Sequence, residues 1–287
     1  MAQGSGIIGL TQWLQTPAGR YLLDWEQSHL DAAVADIFGY HALQLGLPEL
    51  QALRSNRMPH RWVATESAQR HCAPTELSNG HGATPLATDP FADTDPQPLP
   101  VAEVALHCDF DALPFDAQSL DLVVLPHALE MARDPHLALR EVERVLVPEG
   151  RVVIVGFNPA SLWGLRQRAA HLRRTPPGAS RRGFLPDAGE FIGYRRLRDW
   201  LRLLSFEVEA GRFGCYRPPV ASSRWLARFA WADAVGERWW PVFGAVYFVV
   251  AVKRVRGMRL VGLAREQRTV ARAAPAVVAS RHGGGAR

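Results

Sequence analysis

The chain reads as a doubly wound α/β domain, and three observations predict it. Short apolar runs rich in β-branched residues alternate with amphipathic helical stretches. Residues 151–157, RVVIVGF, are apolar without alternation, which is the pattern of a parallel strand covered on both faces. At 287 residues, 47% apolar and 21% charged, the composition is that of a globule with a substantial core, and global disorder is excluded.

The elements follow in order. In TPAGRYLLDWEQSHLDAAVADIFG (16–39), Thr16 is placed as an N-cap with Pro17 at the first helical position. Tyr21, Leu22, Trp25, Leu30, Ala33, Val34 and Ile37 recur at helical spacing, and Gly39 is placed to end the helix. HALQLG (41–46) predicts the first strand, residues 49–54 a short helix, and HRWVATE (60–66) the second strand. Residues 73–100, rich in Pro, Thr, Asp and Gly without an apolar period, predict a long exposed loop. AEVALH (102–107) and DLVVL (121–125) predict two further strands. Asp134 as N-cap and Pro135 open an amphipathic helix that runs to 146, and Pro148–Glu149–Gly150 turns the chain into the strand at 151–157.

Beyond Asn158 an Arg-rich stretch (165–182) precedes a helix at 194–205, a strand at 206–213, an aromatic-rich insertion (214–241) and a last buried strand at 246–254. Residues 1–262 are expected to form one domain, with insertions on its substrate side at 159–205 and 214–241. Residues 263–287, Ala, Arg and Gly without pattern, are expected to be a disordered basic tail.

Charge is divided unevenly. Residues 1–150 hold 8 Arg against 20 Asp/Glu, a net −12, and residues 151–287 hold 25 Arg/Lys against 8, a net +17. A half this basic suits nucleic acid, an acidic membrane surface or an anionic substrate. No recognised RNA-binding motif accompanies the charge. Lys253 is the one lysine, and an Arg preference of this kind also fits a solvated surface written by a GC-rich genome. Cys72, Cys108 and Cys215 fall in no zinc or disulfide spacing. The start, MAQGSGIIGLTQW, is unlike a secretory signal, and the longest apolar stretch, 239–252, is shorter than the roughly 20 residues of a membrane span. A cytoplasmic protein is expected.

The segment CDFDALPFDAQSLDLVVLPHALEMARDPHLALREVERVLVPEGRVVIVGFNP carries a denser signal. An acid follows a strand, then come LPF, a Leu-Asp pair opening a buried strand, a HALE turn, a helix ending RVLVPEG and another buried strand. Over residues 104–158 this resembles the second half of a class I S-adenosylmethionine-dependent methyltransferase of the type 11 group, and a weaker resemblance extends over about residues 15–255. It implies a Rossmann-like, mostly parallel seven-stranded sheet with an antiparallel last strand, and S-adenosyl-L-methionine as cofactor.

The resemblance also implies roles, residue by residue. Asp109 would approach the adenine amino group, with Phe110 beside the ring. Glu66 would grip the ribose hydroxyls. Leu125, Pro126 and His127 would face the methionine half and the methyl group. Physical chemistry alone leaves alternatives: Asp109 can cap a turn, Glu66 can end a strand in solvent, and His127 can pack in a turn. The pattern departs at the first strand, where the family has an acid and then G-x-G-x-G. In LQLGLPEL, Gln44 stands in place of the acid, Gly46 keeps the first glycine with Leu47 after it, and Pro48 and Leu50 replace the other two. Leu50 is expected to place a side chain where the family leaves space for the cofactor.

Two functions follow. One is a methyltransferase acting on a small molecule, an anionic one if the Arg-rich stretch covers the substrate, with no catalytic base identified. The other is a catalytically inactive relative of such enzymes that binds a protein partner.

Overall fold

The computed structural model describes residues 5–66, 101–172, 184–186 and 191–255. Seven strands, β1 His41–Leu45, β2 His60–Glu66, β3 Leu106–Cys108, β4 Leu120–Pro126, β5 Leu146–Phe157, β6 Phe206–Gly214 and β7 Val246–Lys253, form one sheet in the order β3-β2-β1-β4-β5-β7-β6. All are parallel except β7, which runs antiparallel to β5 and β6. The chain winds outward from β1 to β3 and then returns to place β4 beside β1. The carboxyl ends of β1 and β4 therefore flank a topological switch point, where such sheets bind ligands.

Helices cover both faces: α1 Ser5–Leu14, α2 Pro17–Ala35, α3 Ala128–Met131, α4 Pro135–Val145, α5 Leu162–Leu172, α6 Tyr194–Leu203, α7 Ser223–Arg228 and α8 Trp231–Trp239. Period-two alternation sorts the strand residues between two cores. Leu122 and Val124 pack with Leu22, Leu30 and Val34 of α2, while Val123 and Leu125 pack with Leu139 and Val142 of α4 and Leu197 and Leu201 of α6.

Local signals set the helix starts. Thr16 Oγ1 accepts from Gly19 N at 3.2 Å with Pro17 at the first position, and Asp134 accepts from His136 N and Leu137 N at 2.9 and 3.0 Å. Two side chains tie elements together across the sheet. Asp121 Oδ2 accepts from Tyr40 N and His41 N at 2.8 and 2.9 Å, locking the start of β1 to β4. Lys253, 4% exposed, donates to the carbonyls of Glu143 and Leu146 and pairs with the Glu143 carboxylate at 2.9 Å, which fastens β7 to the end of α4.

Some expectations are corrected. Residues 49–54 form turns and no helix, because Gln44 and Leu50 take up their backbone groups. The long first helix ends at Ala35, short of Gly39, which is packed against Asp121 so closely that an added Cβ would lie 2.5 Å from its Cβ. The third strand is confined to Leu106–Cys108, and β5 starts earlier than expected because Leu146 pairs with Leu120 ahead of a register shift. The loop at 73–100, the tail at 263–287 and residues 173–182 of the Arg-rich stretch lie outside the described residues. No helix among the described residues is long and apolar enough to cross a membrane.

Replacing the α4 cap, Asp134→Ala, leaves two backbone donors unsatisfied and should cost about 1 kcal/mol by urea unfolding, with Asp134→Ser retaining most of it.

Candidate active site

The loop after β1 is built from inside. Gln44 is fully buried, and its amide Nε2 lies 3.2, 3.0 and 2.7 Å from the carbonyls of Gly46, Leu47 and Leu50, while Oε1 accepts from Ala52 N at 3.0 Å. Around this side chain the backbone turns through positive φ at Gly46 (80°) and Leu47 (40°). Gly46 also faces α3, where an added Cβ would sit 3.2 Å from Met131 Cε. These contacts correct two expectations. Gln44 has no polar atom left for a ligand and acts as an internal brace. Leu50, 1% exposed, and Leu47, 3%, turn their side chains into the α2 core, so Leu50 does not obstruct the loop's outer side.

Beside this loop, β2 ends at Glu66, in register with Cys108 of β3, and Asp109 follows directly. The turn after β3 is closed by a main-chain bond, Ala112 N to Asp109 O at 3.1 Å, and the Asp109 carboxylate is not its cap. Neither the Glu66 nor the Asp109 carboxylate accepts a hydrogen bond among the described residues. Glu66 is half-buried, and its carboxyl is held above its ordinary range by that burial and by the charges of Asp109 and Asp111, against the pull of Arg133. Phe110 is 2% exposed and belongs to the core with Leu113, so its ring offers no open face. The backbone geometry that exposes Asp109 sends the next side chain inward.

At the end of β4, Leu125 and Pro126 are buried, and His127 adopts a left-handed conformation (φ 53°) with its N–H on Val155 O at 2.9 Å. The imidazole is completely buried between two buried carboxylates. Nδ1 lies 2.8 Å from Glu130 Oε2 and Nε2 2.8 Å from Glu26 Oε1 of α2. The second oxygen of Glu130 accepts from Phe157 N at the end of β5. Burial opposes charge on the ring, but the two carboxylates outweigh it, and the His127 pKa is raised from 6.5 to about 10. Burial likewise pushes the Glu130 carboxyl up, against the attraction of His127. Glu26 Oε2 has no hydrogen-bond partner among the described residues. His127 therefore has no free nitrogen with which to act as a base, and Leu125, Pro126 and His127 bring backbone rather than open side chains to this edge.

Sequence reasoning missed Glu26 and Glu130. A signal was present for the first: Leu22, Glu26 and Leu30 lie at four-residue spacing, which puts an acid in the middle of the apolar stripe.

A cavity of about 680 Å³ lies against the other side of α2, lined among others by Tyr21, Trp25, Arg217, Leu226 and Asp233. It sits at the same edge of the sheet, since Gly214 and Phe157 both pair with Val246. The part-buried phenol of Tyr21 donates to Asp233, whose other oxygen holds Arg217 Nε at 2.9 Å. Ring contacts run from this wall to the buried charges: Tyr21 to Trp163 at 6.4 Å, Trp163 to Trp13 at 6.0 Å, Trp13 to Phe157 at 5.8 Å and Phe157 to His127 at 4.4 Å.

Comparison with known proteins finds a methyltransferase domain over residues 86–154. Escherichia coli (strain K12) YafS, described as an uncharacterized protein, is 32% identical over 208 residues, which are 72% of this chain and 70% of YafS. The malonyl-[acyl-carrier protein] O-methyltransferase of Halorhodospira halophila is 45% identical over 58 residues, 20% of each chain. Among solved structures, a chain of the Haloferax volcanii complex that contains the Trm112 methyltransferase activator shares the fold, with a TM-score of 0.51 at 19% identity over 88% of this chain and 99% of that one.

Two outcomes are expected. Between the ordinary His127 pKa of 6.5 and about 10, the folded protein keeps a proton that the unfolded chain has released. Stability should therefore be full below that window and fall across it as pH rises, by on the order of a few kcal/mol in urea titrations. Glu26→Gln removes the larger attracting charge and should contract the window toward lower pH; an unchanged profile would contradict this account. Leu50→Ala should cost about 2–5 kcal/mol, as expected for a leucine in a packed core and not for one on a ligand path.

Proposed function

We propose, for a chain that belongs to the type 11 group of class I S-adenosylmethionine-dependent methyltransferases, that it methylates a small molecule seated in the cavity beside α2. The observation that carries this reading is that one sheet edge carries both two carboxylates without a hydrogen bond among the described residues and, further along, the cavity.

The enzyme uses S-adenosylmethionine, which brings a methyl group on a positively charged sulfur and needs no activation by the protein. The residues present fit it. Glu66 and Asp109 hold carboxylates that accept no hydrogen bond among the described residues, suited to accept from ribose hydroxyls and from the adenine amino group. Gly46, whose φ of 80° strains any other residue and whose Cβ position lies 3.2 Å from Met131 Cε, keeps the loop's main chain slim. The expected obstruction by Leu50 is absent because that side chain is in the core.

The chain's own contribution is to orient and to exclude water. Tyr21 and Trp25 give the acceptor flat apolar walls, and Asp233 fixes Tyr21 and Arg217 on one side. Arg20 and Arg217 face Asp24 and Asp233 around the cavity, two cations against two anions. This lining supports an uncharged, amphipathic acceptor better than the anionic one that the basic C-terminal half suggests.

Calorimetry with S-adenosylmethionine tests the assignment of the acids. The parent should bind one equivalent, and Asp109→Ala should weaken binding roughly 10- to 150-fold while melting normally, the loss of one charged hydrogen bond. Absence of binding at millimolar cofactor would favour the inactive, partner-binding alternative. Unchanged affinity in folded Asp109→Ala and Glu66→Gln would remove both acids from the site.

A further inference from the structure

Between β6 and β7 the chain leaves the sheet for α7, α8 and a short 3-10 turn, Pro241–Phe243. The inner side of this excursion is fixed. Leu226 is buried, Asp233 is held by Tyr21 and Arg217, and Gly236 lies so near Tyr216 that an added Cβ would fall 2.3 Å from its ring. Asn158 Nδ2 holds the far end, donating to Val242 O and Gly244 O at 2.7 and 2.9 Å. With that side docked, the opposite side faces solvent. Trp225, Trp231, Trp239, Trp240, Val242 and Phe243 are each more than half exposed there.

The rings form two groups. Trp225 stacks on Phe229 at 6.1 Å, and Phe229 meets Trp231 at 6.4 Å, at the start of α8. Trp239, Trp240 and Phe243 stand at its end, roughly 12 Å away at 1.5 Å per helical residue. Four of the chain's nine tryptophans are thus presented to solvent by one excursion. An apolar surface that is held outward by close packing behind it has something to meet.

We propose that this face docks peripherally on an anionic lipid bilayer. The ring chemistry favours a bilayer: tryptophan settles at headgroup depth, where its apolar body and its N–H are both satisfied. The charge favours an anionic one. Arg224, Arg228 and Arg238 are exposed among the rings, with the Arg228 guanidinium 5.8 Å over the Trp225 ring, and Glu237 is the one exposed acid in residues 222–243. In a two-fold contact with a second copy these arginines would meet one another. Three arginines are also few beside the roughly 6–10 phosphate contacts of a nucleic-acid site. Two ring groups at opposite ends of a helix suit a flat, deformable surface entered at several shallow points, whereas protein hot spots gather at one centre.

Ser223, Leu226 and Ala227 of the excursion also line the cavity, so the docked face adjoins it. Resting on the acceptor reading above, this placement supplies an amphiphilic acceptor to the cavity from the bilayer. Docking itself does not depend on that reading.

The test uses the full chain with phosphatidylcholine vesicles and with vesicles containing phosphatidylglycerol. Sedimentation should show binding to the anionic vesicles that added salt weakens, with a blue shift of tryptophan fluorescence. The W231S/W239S/W240S variant should bind roughly tenfold or more weakly and keep its S-adenosylmethionine affinity, which reports that the fold and the cofactor site persist. R224E/R228E should lose the preference for anionic lipid. No binding to either vesicle, or equal binding by the tryptophan variant, would overturn the proposal. So would a change of oligomeric state in that variant without a change in vesicle binding, which would assign the face to a second copy. Because vesicle binding is read without methyl transfer, its failure is separable from failure of the acceptor reading.

Discussion

The buried contact of His127 with Glu26 and Glu130 is the constraint on which the rest of the site depends. It joins α2, the turn after β4 and, through Phe157 N, the end of β5 at one point. A buried ion group is costly to form, because three groups that water would solvate are withdrawn from it. Once formed it is unforgiving: removing His127 leaves two buried carboxylates without their shared partner. It therefore gives α2 one position on the sheet, where a purely apolar stripe would tolerate sliding.

Everything that α2 carries inherits that position. One side of the helix presents Tyr21 and Trp25 to the cavity. Further along, Gln27 exchanges hydrogen bonds with Gln51 at 3.1 Å in both directions, Asp31 accepts from Ser55 at 2.7 Å, and the carbonyls of Val34 and Ile37 accept from Asn56. These bonds hold the chain that follows the β1 loop, while Gln44 braces the loop from beneath. The loop after β1, the cavity beside α2 and the buried charges are thus located by one helix whose register Glu26 sets.

The loop after β1 shows how a glycine pattern can be lost without losing the turn it serves. A run of glycines makes a tight turn by conformational freedom. Here Gly46 is the one glycine at positive φ, and a buried amide supplies the remaining order by gathering three carbonyls and one N–H around itself. Glutamine can do this and the family's acid cannot, since a carboxylate has no hydrogen to donate to carbonyls. Gln44 and the missing glycines are in this sense one change.

Much of the fold was legible in the sequence because it is written locally. Alternating strands and helices, the N-caps at Thr16 and Asp134 and the buried run at 151–157 each depend on near neighbours in the chain. The resemblance, dense over residues 104–158 and weaker over about 15–255, extended this to the mostly parallel seven-stranded sheet, and Glu66 and Asp109 stand at the strand ends where the sequence put them. The short helices α1, α3, α7 and α8 were not legible, because their stability comes from the surfaces that they cover and not from periodicity. The inward turn of Phe110, Leu47 and Leu50, the brace role of Gln44 and the engagement of both His127 nitrogens were decided only by tertiary structure. Glu26 and His127 lie 101 residues apart, and no local pattern couples them. Burial in one interior, where an unpaired charge is intolerable, is what made them partners.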